Sequence, residues 1–147
     1  MEEIIDYFEP INPEQIIISG FKKGYYGNAL LSKDNPVSLS EAQIALIGLT
    51  ETRNASPGKY SVTLDGIRNY FYQLSEVSRI KVIDLGNLKS GSKVKDTYAS
   101  ISHISAYLFN IGVIPVFFGG SQDTTLSILS GVASKTDEPG LVLIDSH

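Results

Sequence analysis

The sequence predicts a three-layer α/β/α fold built on a mostly parallel, doubly wound sheet. Four short apolar runs are rich in β-branched residues and hydrophobic on both faces, which is typical of parallel strands covered on both sides. Between successive runs, apolar residues recur every three or four positions, as they do along one face of a helix. Strands that alternate with helices in this way indicate βαβ crossovers.

The predicted strands are the four apolar runs of strand length. They are Ile44–Leu49, Ile80–Gly86, Ile114–Gly120 and Leu141–Asp145. Gln15–Ser19 is a weaker fifth candidate, placed at an edge of the sheet or at its N-terminal end.

Three helices are predicted between these strands. The first has Thr63 as its N-cap, and its apolar side comprises Leu64, Ile67, Phe71 and Leu74. The second ends at Gly112, and its apolar side comprises Val94, Tyr98, Ile101, Ile104 or Ser105, Leu108 and Ile111. The third follows Ser121, a candidate cap, and its apolar side comprises Thr125, Ile128, Leu129 and Val132.

Length and composition indicate one globular domain. The chain has 147 residues, is 42% hydrophobic and carries a net charge of -4, which excludes intrinsic disorder. A sequence pI near 5.1 and no basic cluster longer than Lys22-Lys23 argue against a nucleic-acid partner. There is no cysteine, so disulfides, thiolate metal sites and cysteine nucleophiles are excluded.

The chain shows no secretory signal and no apolar run of the ~20 residues that cross a bilayer. We therefore expect a cytoplasmic protein without a membrane partner. The last predicted strand reaches His147 with no helix after it. We expect residues 1–147 to be the N-terminal part of a longer domain.

Polar residues follow two of the predicted strands, at the end of the sheet where α/β proteins bind ligands. Asp145 and His147 are alternate residues, so they share a face as the strand ends. A carboxylate and an imidazole there form half of a site for Mn²⁺ or Zn²⁺. In the alternative interpretation, Asp145 caps a following helix and His147 is solvated.

Gly119-Gly120, followed by Ser121-Gln122-Asp123, marks the second of these strand ends. Adjacent glycines allow a close backbone approach to a ligand or to another strand. A phosphate-binding loop is the competing interpretation, but the sequence contains neither G-x-x-x-x-G-K-[ST] nor G-x-G-x-x-G, and Asp123 would repel phosphate.

The order of these segments resembles the ureohydrolase family, which includes arginase, agmatinase and formimidoylglutamase. Its members carry a Pro/Gly-rich loop, a Gly-Pro-x-x-Ile-Arg helix, an Asp-Leu-Gly strand end, a Gly-Gly-Asp-His-Ser segment and an Asp-Ala-His-x-Asp segment. The corresponding segments here are Pro57-Gly58, Thr63–Arg68, Asp84–Gly86, Pro115–Asp123 and Leu143–His147.

The resemblance implies an arginase-like fold and a hydrolase that acts on the guanidino or amidino carbon of a small guanidino or formimino substrate. Family members use two Mn²⁺ ions, which lower the pKa of water so that hydroxide is available at neutral pH. Asp145 matches the bridging carboxylate and His147 matches an imidazole ligand. Family members commonly form trimers or hexamers, which makes a homo-oligomer possible here.

The chain departs from the family pattern at two positions. Gln122 stands where the family has its first histidine ligand, and a neutral amide is a poorer ligand for Mn²⁺ than imidazole. Ser121 replaces an aspartate. We therefore expect one metal position to be weakened or empty, and residues 1–147 to be inactive alone. The alternative is a non-catalytic binding or assembly module that keeps the fold; an unrelated Rossmann-like binding domain fits the motif order poorly.

Four further residues have predicted roles. Arg53 and Asn54 follow a strand end and are candidates for substrate binding. Arg68 is predicted to form a structural ion pair in preference to binding substrate, and His103 to lie at the surface.

Overall fold

The computed structural model describes residues 2–12, 16, 23–31, 38–55, 63–77, 79–140, 142 and 144. Its helices are α1 (Glu2–Ile5), α2 (Tyr26–Leu31), α3 (Leu64–Tyr72), α4 (Val94–Asn110) and α5 (Thr124–Ala133). Its strands are β1 (Phe8–Glu9), β2 (Ile44–Leu49), β3 (Val82–Leu88) and β4 (Ile114–Gly119).

The described strands form one mixed, mostly parallel sheet in the order β1-β3-β2-β4. Strand β2 is central and runs parallel to both β3 and β4, while β1 is antiparallel to β3. The register of β2 against β4 is continuous from Ile44 opposite Ile114 to Leu49 opposite Gly119. Because β2, β3 and β4 run parallel, their carboxyl ends lie at the same edge of the sheet.

Helices cover both faces of the sheet, as the three-layer prediction requires. Alternate residues of β2 point to opposite faces. Ala45 and Ile47 pack into a core that includes Ile101 and Ile104 of α4. Leu46 packs into a second, smaller core with Tyr26, Val82 and the partly buried Phe71. No helix in the described residues is long and apolar enough to cross a membrane.

The structure confirms the three predicted helices as α3, α4 and α5, and adds α1 and α2, which were not predicted. The buried side of α3 differs from the predicted one. Thr63 caps this helix, because its Oγ1 accepts a hydrogen bond of 3.0 Å from the backbone N–H of Gly66. Leu74, placed on the predicted apolar side, is 54% exposed, whereas Arg68 and Tyr72 are buried. The helix therefore turns Arg68 and Tyr72 toward the sheet, where both donate hydrogen bonds to Asp84.

Strand predictions are confirmed for β2, β3 and β4 within one to two residues of their bounds. The segment Leu141–Asp145 lies largely outside the described residues; Val142 and Ile144 are described, belong to no strand and are 86% and 92% exposed. Gln15–Ser19 also lies outside them, apart from the buried Ile16. In the described sheet β4 is an edge strand, so Ile114 is 63% exposed.

Candidate functional site

Three polar segments meet at the carboxyl edge of the sheet. They are Thr50–Asn54 after β2, Lys89–Lys93 between β3 and α4, and Gly120–Asp123 between β4 and α5. The parallel pairing of β2 with both neighbours brings these loops to one edge. This is the edge at which open α/β sheets bind ligands.

Glu51 is a buried carboxylate at the end of β2, with 2% of its surface exposed. It pairs with Arg53, whose Nε lies 2.9 Å from Oε1, and accepts a 2.9 Å hydrogen bond from the hydroxyl of Thr97. The hydrogen bonds from Arg53 hold the pKa of Glu51 at about 2, below its ordinary 4.5. Glu51 is therefore a charged anchor for the first turn of α4.

Arg53 lies at the predicted edge, with its guanidinium turned toward the protein. Besides Glu51, it donates to the backbone oxygens of Ser92 at 3.1 Å and Gly91 at 3.0 Å. The guanidinium thus joins the loop after β2 to the loop that leads into α4. Its side chain is 39% exposed, and the predicted contact with substrate stays a prediction.

The loop after β4 depends on two glycines with positive φ, Gly119 at 81° and Gly120 at 75°. A Cβ at Gly119 would lie 2.7 Å from the backbone oxygen of Leu49, so only glycine fits this close approach. The backbone N–H of Ser121 then donates to the carbonyl of Glu51 at 2.8 Å. This bond fixes the loop after β4 to the end of β2.

The prediction that the Ser121 side chain caps α5 is wrong. Its hydroxyl donates to the Glu51 carbonyl at 3.3 Å instead. The backbone oxygen of Ser121 accepts from the hydroxyl of Thr124 at 2.7 Å, and α5 begins at Thr124. The side chain of Ser121 therefore holds the loop against the end of β2, while its backbone carbonyl accepts a hydrogen bond from the first residue of α5.

A second cluster, made by Asn54, Tyr98 and Asp123, lies at the same edge. The Asn54 amide nitrogen donates to Asp123 Oδ2 at 2.9 Å and to the Tyr98 hydroxyl oxygen at 2.8 Å. The Tyr98 hydroxyl in turn donates to Asp123 Oδ2. Asn54, predicted to bind substrate, is exposed here and hydrogen-bonded on its donor side.

These hydrogen bonds set the charge of the cluster. Burial raises the pKa of Asp123, but the neighbouring polar groups of Ser121, Tyr98 and Asn54 outweigh it and hold the value at about 2. The same carboxylate raises the pKa of the Tyr98 hydroxyl. At neutral pH the cluster therefore carries one negative charge, on Asp123.

The predicted metal ligands are only partly described. Gln122 is exposed at the carboxyl edge, between Ser121 and Asp123, while Asp145 and His147 lie outside the described residues. Within the described part of the chain, no three His, Cys, Asp or Glu side chains are grouped so that they could hold a metal ion. The loop from Ser121 to Asp123 offers a metal only poor ligands, since Oδ2 of Asp123 is hydrogen-bonded within the protein, its Oδ1 is buried, and the exposed side chain of Gln122 is a neutral amide.

Arg68 forms the predicted ion pair. Its Nε lies 2.9 Å from Asp84 Oδ2, and both side chains are 1% exposed. Its guanidinium also lies 4.9 Å from the centre of the Phe118 ring. This residue joins α3 to the sheet.

Sequence reasoning missed the roles of Glu51, Thr97 and Tyr98. The available signal was the charge at Glu51 and Arg53, just beyond an apolar strand. Their partners on α4 lie more than 40 positions away along the chain, so no local pattern shows the pairing.

The sequence matches the model of the arginase family over residues 48–147, which includes β3, β4 and all three loops of the carboxyl edge. The chain belongs to the arginase family. No curated protein matches it. The α/β architecture of the described residues agrees with an arginase-family fold.

Proposed function

We propose that this protein is a ureohydrolase-type enzyme that hydrolyses a C–N bond of a small guanidino or formimino substrate. The activity would be of the arginase, agmatinase or formimidoylglutamase type. The observation that carries the proposal is the family match over residues 48–147, combined with the way the loops after β2 and β4 are joined at one edge by Ser121 and Glu51.

Three residues are proposed to contact manganese. Asp145 and His147 would be the principal ligands, with Gln122 a weak one in the place of an imidazole. Bound manganese would supply hydroxide at neutral pH, which attacks a planar guanidino or amidino carbon. Residues 1–147 are proposed to provide only a partial metal site.

The chain itself offers a matched pair of variants for this proposal, because it contains only two histidines. In the full-length protein, His147→Ala should lower the Mn²⁺ content after loading and abolish release of urea or formamide. His103→Ala, at an exposed position on α4, should leave both unchanged. The substrates are those after which arginase, agmatinase and formimidoylglutamase are named. Full-length wild-type protein that holds manganese and releases no product from any of them would contradict the proposal.

A non-catalytic binding or assembly module is the second candidate. It is favoured by the loop from Ser121 to Asp123, whose carboxylate is occupied by Tyr98 and Asn54 while Gln122 replaces a histidine. In this case the folded protein would retain no manganese after loading and dialysis. Metal analysis of the folded protein, with circular dichroism as the check on folding, therefore separates the two candidates.

The cellular setting belongs to the same proposal. We expect a cytoplasmic protein that acts on a small molecule, without nucleic-acid or membrane partners, and with a homo-oligomer as one arrangement. Fractionation of cells and light scattering on the purified protein test these expectations directly.

A further inference from the structure

We propose that Asp123 is a positioning residue which, with Asn54 and Tyr98, forms a hydrogen-bonded latch that holds Gln122 and its loop in place without a metal ion. The term latch is used here for these three side chains alone. The inference rests on the proposed function, since it takes the loop after β4 to border the active site. It assigns a role to a carboxylate that stands next to a predicted metal ligand.

The latch is a closed triangle of hydrogen bonds. Asn54 reaches Asp123 at 2.9 Å and Tyr98 at 2.8 Å, and Tyr98 completes the triangle by donating to the same carboxylate oxygen as Asn54. The three side chains come from the loop after β2, from α4 and from the loop after β4. The pairs are 25 to 69 positions apart, so the latch connects segments that are distant along the chain.

The carboxylate of Asp123 is poorly placed to bind a cation. Its Oδ2 already accepts two hydrogen bonds, and its Oδ1 is buried. A carboxylate that coordinates a metal must present a lone pair to the ion. An ion at Oδ2 would have to displace Asn54 or Tyr98, while Oδ1, which has no hydrogen-bond partner, is buried away from solvent.

The loop is fixed on both sides of Gln122. Ser121 is bound to the carbonyl of Glu51 through both its N–H and its hydroxyl, and Asp123 is bound by the latch. Gln122 lies between these two anchors with its side chain exposed. The protein thus supplies, with ordinary hydrogen bonds, the order that a bound ion would otherwise impose on this loop.

Removal of the Tyr98 hydroxyl tests the latch most cleanly, because the ring is kept. In EDTA, Tyr98→Phe should lower the thermal unfolding midpoint by roughly 2–4 °C, as expected for the loss of about 1 kcal/mol. Tyr70→Phe is the matched control, since Tyr70 is 77% exposed, and it should leave the midpoint unchanged. Equal midpoints for the two variants would overturn the proposal.

Amide hydrogen exchange separates local positioning from general loss of stability. Tyr98→Phe should speed exchange about fivefold in the loop from Gly120 to Asp123 and at Asn54, as expected for about 1 kcal/mol, and leave α3 unchanged. Asp123→Asn keeps an acceptor oxygen, so it should recover part of the protection that Asp123→Ala removes. Equal acceleration along the whole chain would contradict a positioning role.

Manganese titration of the same variants decides between a latch and a metal ligand. Asp123→Ala should give the same Mn²⁺ titration curve as wild type. Its thermal unfolding midpoint in EDTA should nevertheless fall. A tenfold loss of Mn²⁺ affinity with an unchanged EDTA midpoint would show that Asp123 is a ligand. An inactive full-length wild-type protein would contradict the proposed enzyme and would leave the unfolding midpoints in EDTA as evidence for the latch.

Discussion

Arg68 and Asp84 face each other inside the protein, with the guanidinium Nε 2.9 Å from the carboxylate Oδ2. The carboxylate also accepts hydrogen bonds of 2.9 Å from the Tyr72 hydroxyl and from the backbone N–H of Gly86. Arg68 donates further to Asn87 at 2.8 Å. Because every partner lies on α3 or β3, this network sets how the helix sits on the sheet.

Replacement of Arg68 by methionine should be strongly destabilising. It keeps most of the volume but leaves Asp84 as an unpaired charge in a buried site, which costs about 3–5 kcal/mol of unfolding free energy. Urea denaturation measures the loss. Arg79→Met is the control, since Arg79 is exposed, and it should change stability by less than about 0.5 kcal/mol. The prediction fails if the two variants are equally stable.

Acid should weaken the folded state through Glu51. Its pKa is about 2 when folded and 4.5 ordinarily, so the stabilisation is complete above pH 4.5 and is lost as the pH falls toward 2. In that window one extra proton binds to the unfolded chain, and stability drops by up to about 1.4 kcal/mol per pH unit. Urea midpoints between pH 5 and 2.5 should fall less steeply in Glu51→Gln. Parallel curves for the two proteins would argue against this pairing.

Gly131 on α5 should tolerate no larger residue. A Cβ there would lie 2.3 Å from the backbone oxygen of Ser102 and 2.8 Å from the Cβ of Ser105, so α4 and α5 would have to separate. Gly131→Ala is expected to cost about 1–3 kcal/mol, even though alanine favours helices. Gly140→Ala is the control, because no atom lies within 4 Å of its added Cβ. A gain in stability for Gly131→Ala would show that the helices can part at no cost.

Gln122→His should raise the affinity for Mn²⁺, since an imidazole is a better ligand than an amide. The gain should depend on His147, and it should vanish in the Gln122→His, His147→Ala double variant. Gln73 is another exposed glutamine, so Gln73→His is the control for unspecific Mn²⁺ binding by an added histidine. Electron paramagnetic resonance measures the concentration of free Mn²⁺ during the titration. An unchanged titration would place Gln122 outside the metal site.

Local patterns in the sequence were sufficient to predict α3, α4 and α5, but not the short helices α1 and α2. Thr63 and Gly112 mark the start of α3 and the end of α4 because caps act within one turn, and a positive φ of 77° at Gly112 explains why glycine stands there. The burial of Arg68 was not predictable in this way. Its apolar neighbours suggested a different face, and its partner Asp84 is 16 positions away.

The location of the candidate site was predicted better than its contacts. Arg53 and Asn54 lie at the carboxyl edge because they follow a parallel strand. Their partners Thr97 and Tyr98 belong to α4, 44 positions further along the chain. Such contacts depend on how the helix packs on the sheet, so the sequence alone could not show that both side chains would be turned toward the protein.

Strand β1 is a short edge strand of the described sheet. Its two residues run opposite to β3, pairing Phe8 with Leu88 and Glu9 with Asn87. The partner of β3 on this side is therefore a strand of only two residues. Deleting residues 2–12 would leave β3 as the edge of the described sheet and bring Leu88, now 1% exposed, into water. The protein shortened in this way should self-associate more readily, by edge-to-edge pairing through β3.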